Sequence, residues 1–267
     1  MLARIQKKSE KSGNNGKTGT LPFNPRHDDL YLVSYPKSGT TWLNFIIANV
    51  NILMSNMDEE VNVFNIHDFV PDIHYSQDIG NIRATFPNYR IIKSHDNYNI
   101  GYKKVIYLIR DPRDTMVSFF HFSCSLNLFS GSLSEFIRSP IYGIESWCTH
   151  LKSWYEDSPI ALRIYFMRYE DMKNNTFDTL NAMYTMLGHH IPENVLQRAI
   201  ELSSFSKMKE SENKWAYGGR PSGKQMTFMR KGKSGAYSNE LSKEDIDYIN
   251  TIAGKLMSQF NYAFDRT

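Results

Sequence analysis

Three clusters in this chain carry residue types that handle anions or protons. The first is Tyr35 to Trp42, YPKSGTTW. Gly39 permits close backbone approach to a ligand, Thr40 and Thr41 offer hydroxyls, Lys37 adds positive charge, and the first turn of a following helix presents free N–H groups. Together they suit a phosphate or sulfate. A plain turn at Gly39 with Thr40 as a helix cap would explain GTT alone, but not the lysine, strand and helix around it. The order also differs from the GxxxxGK[ST] nucleoside-triphosphate loop, because Lys37 precedes the single glycine.

The second cluster, IIKSH at Ile91 to His95, delivers Lys93 and His95 at the end of an apolar run. A histidine, with an ordinary pKa near about 6.5, can take a proton from an alcohol or amine, an effect worth roughly 10²–10⁴ in rate. Read alone, a structural His95 is the commoner case. The third cluster runs from Val105 to Phe122: a strand, a proline turn carrying Arg110 and Arg113, then a helix bearing Ser118. Arginine and serine there can grip a terminal phosphate. The alternative is that Arg110 and Arg113 pair with Asp111 and Asp114 around a surface turn. No apolar strand ends in an aspartate suited to Mg²⁺, so metal-free chemistry is expected.

Elements of one kind must position these clusters. Leu30 to Tyr35, Arg90 to Lys93, Lys104 to Ile109 and Leu162 to Met167 are apolar runs without polar alternation, as strands covered on both faces require. Helices are expected from about Thr41 to Met54 and from about Asp114. The reading is α/β: a single domain with a central parallel sheet flanked by helices and a P-loop-like anion loop. The first helix should be almost wholly buried. Ser242 with Asp245 forms a capping-box pattern ahead of Ile246, Ile249, Ile252, Leu256, Met257 and Phe260, which marks a closing helix. Residues 1–27 are expected to be a flexible basic tail before a domain spanning 28–267. The Gly-, Lys- and Arg-rich stretch from Lys207 to Ser238 is expected to be a long ligand-covering loop.

Composition sets the outer bounds. The 267 residues are 41% hydrophobic and 22% charged, a globular balance, and a net charge of +3 is too small for nonspecific nucleic-acid binding. No apolar run reaches the roughly 18 residues of a membrane span, and no leader segment is evident, so a cytoplasmic protein is expected. Cys124 and Cys148 fit packed thiols better than a disulfide framework or a metal site.

Taken together, the three motifs resemble those of the cytosolic-type sulfotransferases that use 3′-phosphoadenosine-5′-phosphosulfate (PAPS). The resemblance runs from about Asp28 to Phe260. It implies that Lys37, Ser38, Gly39, Thr40, Thr41 and Trp42 bind the 5′-phosphosulfate. KSH is similar to the family's KTH, which makes His95 the implied catalytic base and Lys93 its charged neighbour. RDPRDTMVS resembles the 3′-phosphate site, with Arg110 and Ser118 at matching positions. Tyr169 in YEDMK stands where the family contacts adenine, and in SSFSKMK Ser203, Phe205 and Met208 match nucleotide contacts. FMRKGKSG resembles RKGxxG, so Arg230, Lys231 and Gly232 would hold the 3′-phosphate.

Two segments depart from the pattern. AYSN follows RKGKSG where animal members usually have DWKN, and GGRPSGKQMTF replaces the segment that often carries the family's dimer contact. No particular oligomer is therefore expected. The implied reaction is in-line sulfuryl transfer from PAPS to a hydroxyl or amine of a small molecule, releasing adenosine 3′,5′-bisphosphate (PAP), with no metal. Aromatic walls from Phe64 to His74, Phe119 to Phe122 and Leu126 to Phe136 would shape the acceptor pocket, with Phe69, Phe119 and Phe122 as candidate walls. Asp68 and Asp72 would attract a cationic acceptor, unless they are turn or surface carboxylates. Two other readings stand beside this one: a metal-dependent nucleotide or metabolite kinase, and a catalytically silent nucleotide-binding module.

Overall fold

The computed structural model describes residues 20–79, 90–159, 163–216, 232 and 234–263. Four strands form one sheet: β1 (Leu30–Val33), β2 (Ile91–Ser94), β3 (Lys104–Ile109) and β4 (Arg163–Arg168). Every pairing is parallel and the order is β2-β1-β3-β4. All residues of β1 and β2 are buried, which is why these strands read as continuous apolar runs. β1 ends two residues earlier than its apolar run, because Ser34 and Tyr35 already belong to the turn into the anion loop.

Helices cover both faces. They are α1 (Thr40–Met54), α2 (Ile66–Phe69), α3 (Pro112–Ser125), α4 (Leu133–Ile137), α5 (Ile144–Tyr155), α6 (Tyr169–Asn174), α7 (Thr176–Met186), α8 (Glu193–Leu202), α9 (Phe205–Ala216) and α10 (Lys243–Gln259). On one face Leu30, Leu32, Ile106 and Leu108 pack with α1, α7 and α8. On the other, Tyr31, Val33, Val105 and Tyr107 pack with α3, α5 and α10. The period-two alternation of each strand thus feeds two separate cores. Lying between the sheet and α8, α1 is buried over most of its length, as its sequence suggested.

Three local expectations change. The stretch from Lys207 begins as helix: α9 runs to Ala216, and Ala236–Asn239 form a 3-10 turn. The supposed tail is anchored from Thr20 onward. The Thr20 N–H donates to Asp96 Oδ2 (2.7 Å), while Arg90 forks onto Asp29 (2.6 and 2.8 Å) and donates to the Asn24 carbonyl (2.7 Å). Residues 1–19 lie outside the described set. Finally, Ser242 does cap α10 by accepting the Asp245 N–H, but the Asp245 carboxylate takes the Ser242 hydroxyl and the Arg138 guanidinium instead of closing a capping box. The full box is at Ser132 and Glu135, on α4.

Candidate active site

The sheet order places a topological switch at β1, whose neighbours β2 and β3 lie on opposite sides. In open α/β sheets, ligands bind at the carboxyl ends of strands beside such a switch. The four carboxyl ends here lead into Ser34, His95, Arg110 and Tyr169. Residues far apart in sequence thereby meet along one edge.

The loop after β1 is strained into a cradle. Lys37 adopts φ 71° and Gly39 φ 101°, both left-handed. At Gly39 a Cβ would also sit 2.4 Å from the Tyr169 ring, so only glycine fits. The Ser38 hydroxyl donates to the Tyr35 carbonyl (2.8 Å), and Thr40 Oγ1 lies 2.6 Å from Ser34 Oγ. α1 begins here with neither a side-chain cap nor an acidic residue in its first turn, whereas α3, α4 and α10 have both. Its positive end is left for an anion. Lys37 Nζ sits 4.2 Å above the half-buried Phe122 ring.

His95 stands just past β2. Its Nδ1 is 2.7 Å from the Ser34 carbonyl, which can only accept, so Nδ1 carries the proton and Nε2 keeps a free lone pair. Enclosure by protein, and then the Lys93 charge, hold this imidazole well below its ordinary pKa, although Asp72 pulls the other way. The ring is therefore neutral at neutral pH, with Nε2 able to accept a proton. Lys93 Nζ binds Asp72 Oδ2 at 2.9 Å. Burial pushes the Asp72 carboxyl up, but the adjacent Lys93 ammonium, first among the groups that oppose this, holds it well below its ordinary value and ionised.

Aromatic rings and hydrogen-bond donors lie beside the loop. The Arg110 guanidinium stacks 4.6 Å from the Tyr169 ring and donates to the Lys37 carbonyl (3.3 Å). Trp42 meets Tyr169 edge-on at 5.9 Å. Ser118 is half-buried on α3. Ser203 is fully buried and accepts from Asn49 Nδ2 (3.0 Å), and Met208 is packed into the core. Phe205 lies against Gly232, where a Cβ would meet its ring at 2.7 Å, and Lys173 Nζ donates to the Gly232 carbonyl. Arg230 and Lys231 fall outside the described residues.

Several other candidate residues are buried. Phe69 and Phe119 are 1% and 2% exposed and pack in the cores on opposite faces of the sheet. Asp72 is buried and paired with Lys93, and its Oδ1 accepts the His74 N–H at the start of a turn, as the turn-carboxylate reading expects. Arg113 is structural, forking onto Asp111 (3.0 and 2.7 Å) and covering Tyr237, whereas Arg110 turns towards the loop. Both thiols are protonated, burial pushing Cys148 up to about 11 and raising Cys124.

Two contacts escaped the sequence reading. His74 Nε2 accepts the His95 backbone N–H at 2.9 Å. Asp114 accepts the N–H groups of Gly235 (2.7 Å) and Tyr237 (3.0 Å), which ties the departing AYSN turn to α3. The sequence offered Asp114 only as a partner of the arginines, and its Oδ2 does lie 3.8 Å from Arg110 Nη2.

Nucleotide-binding α/β proteins use this crevice, and a neutral buried-edge histidine beside an uncapped helix start adds proton transfer to anion binding. The class is thus a nucleotide-dependent group-transfer enzyme. The family model described as Sulfotransferase domain matches residues 27–261, and the chain belongs to that family. It is 30% identical to Sulfotransferase 1 family member D1 of Mus musculus over 86% of this chain and 85% of that protein. It is 31% identical to Sulfotransferase 1B1 of Canis lupus familiaris, over 88% of this chain and 86% of the relative. The fold is shared with mouse sulfotransferase SULT7A1 crystallised with PAP, at TM-score 0.64 and 26% identity, covering 88% of this chain and 86% of that one. The protein is a sulfotransferase. Among the described residues no helix is long and apolar enough to cross a membrane, and no cluster of histidine, cysteine or carboxylate side chains could hold a metal ion.

Proposed function

We propose that this chain transfers a sulfuryl group from PAPS to the hydroxyl or amine of a small molecule, with His95 as the general base. The observation that carries the reading is the His95 tautomer: Nδ1 is tied to the Ser34 carbonyl, which leaves Nε2 as the proton acceptor next to the anion loop. PAPS supplies a sulfuryl group already bonded to a good leaving phosphate, and the residues present suit it. The Gly39 cradle and the uncapped start of α1 fit a 5′-phosphosulfate, and Tyr169 and Trp42 offer ring faces and edges for adenine. Arg110 and Ser118, with Arg230, Lys231 and Gly232, would hold the 3′-phosphate.

The residues then divide the work. His95 Nε2 accepts the acceptor proton, while Lys37 and the first-turn N–H groups of α1 stabilise negative charge on the transferred group and the leaving phosphate. Lys93 would help to neutralise charge on the sulfuryl and leaving-phosphate oxygens, its ammonium shared with Asp72. The acceptor class draws support from relatives: Amine sulfotransferase of Oryctolagus cuniculus is 27% identical over 91% of this chain.

The test is a thermal-shift titration with PAP against ATP plus Mg²⁺, since a ligand bound only by the native state raises stability by RT ln(1 + [L]/Kd). A large shift with PAP that Arg110→Ala abolishes is expected. A shift only with ATP and Mg²⁺ would overturn the reading.

A further inference from the structure

The Pro71–Ile73 segment lies alongside β2 as an extra length of parallel backbone. The Lys93 N–H donates to the Pro71 carbonyl (2.8 Å), the Ile73 N–H donates to the Lys93 carbonyl (3.0 Å), and Asp72 bridges Lys93. This register brings His74 beside His95. The Asp72 carboxylate, already bound to Lys93 through Oδ2, accepts the His74 backbone N–H through Oδ1 at 3.0 Å. The His74 side chain is 7% exposed, and its ring lies parallel to that of His95, with centroids 6.0 Å apart and planes 5° from coplanar.

The bond from the His95 N–H to His74 Nε2 has a chemical consequence. A nitrogen that accepts cannot carry a proton, so the geometry requires His74 neutral with its proton on Nδ1. His95 is then held at two points: its backbone N–H by His74 and its Nδ1 by the Ser34 carbonyl. The side-chain hold fixes which nitrogen is basic, and the backbone hold fixes where the residue sits relative to the anion loop. Five other charged or titratable groups surround the pair: Asp72, Lys93, Asp96, His67 and, from α5, His150.

We infer that His74 is a positioning residue, one that aims the His95 base through its backbone without touching either substrate. The inference rests on His95 being the base. A glutamine can replace His74 as an acceptor, because its Oε1 reaches about as far as Nε2, whereas leucine keeps the bulk and accepts nothing. Misplacing a reacting group by about 1 Å can cost about 10²-fold in rate.

The experiment compares full-length wild type with His74→Leu, His74→Gln and His95→Ala. It measures PAP release from PAPS, using whichever simple phenol, alcohol or amine of a panel the wild type turns over fastest. PAP affinity is measured alongside, together with the ¹H–¹⁵N resonance of the His95 amide. The expected result is a fall in kcat of about 10- to 100-fold for His74→Leu with PAP affinity unchanged. His74→Gln should recover to within about threefold of wild type and keep the hydrogen-bonded amide shift that His74→Leu loses. A His74→Leu variant as active as wild type while His95→Ala is inactive would overturn the positioning role alone, as would a His74→Gln no better than His74→Leu. Full turnover in His95→Ala would overturn the base assignment itself, and this inference with it.

Discussion

Gly39 answers to two constraints at once, a left-handed backbone and the Tyr169 ring pressed against its α-carbon. Gly188, at φ 81° with nothing near its missing Cβ, answers to the first alone. The two positions therefore separate strain from function. Gly188→Ala should cost about 1–2 kcal/mol of stability and leave PAP affinity intact. Gly39→Ala should show the same strain and also displace Tyr169, weakening PAP binding by about tenfold or more; calorimetric titration checks both. Equal PAP affinities in the two variants would mean that the Tyr169 contact does not shape the nucleotide site. At this scale much was legible in the sequence, because Lys37, Gly39, His95 and Arg110 sit in compact motifs whose chemistry is local. Phe69 and Phe119 were less legible, because an aromatic side chain reads the same whether it lines a pocket or fills a core. His74 was not visible, since its role depends on the register of Pro71–Ile73 against β2, which leaves no mark within its own neighbourhood in the chain.

The element that links the site's parts is α3. Its start follows Arg110, its second turn carries Ser118, and Asp114 between them holds the Gly235–Tyr237 turn that follows the RKGKSG stretch. His121 on the same helix reaches Glu240 at 2.5 Å, so the segment is fastened at both ends. Asp114→Ala should remove two charged hydrogen bonds, each worth about 1.5–3 kcal/mol, and weaken PAP binding. Asp111→Ala should remove the α3 cap at a cost of about 0.5–2 kcal/mol and free its partner Arg113. Urea denaturation with PAP titration distinguishes them; Asp114→Ala with unchanged PAP affinity would show that the turn is independent of nucleotide binding. Strands were readable as elements because burial on both faces forces continuous apolar runs, and α1 and α10 because their apolar side chains repeat at helical spacing. α9 was read as loop since, among its described side chains, it buries little beyond Met208, Ser211 and Glu212, which form no apolar period.

Across the whole molecule, enclosed histidines make folding sensitive to acid. Burial lowers His150 to about 4 and holds His95 well below its ordinary value. In the unfolded chain both return to about 6.5. Between those limits the unfolded chain binds more protons, so their contribution is complete above about pH 6.5 and drains away as pH falls towards 4. For His150 alone the loss approaches about 3 kcal/mol. Glu170, raised by burial, opposes this in part. The urea midpoint should therefore fall between pH 7.5 and pH 5; an equal or higher midpoint at pH 5 would contradict the assignment of neutral, enclosed histidines.

The proposed reaction has a neutral His95 take a proton from an acceptor while the loop after β1 holds PAPS. The most direct measurement is PAP release from PAPS with and without a panel of simple phenols, alcohols and amines, in wild type and His95→Ala. Acceptor-dependent release that falls by about 10²–10⁴ in His95→Ala, with PAP binding retained, is the expected result. Binding of PAP without acceptor-dependent release in the wild type, or release undiminished in His95→Ala, would contradict it.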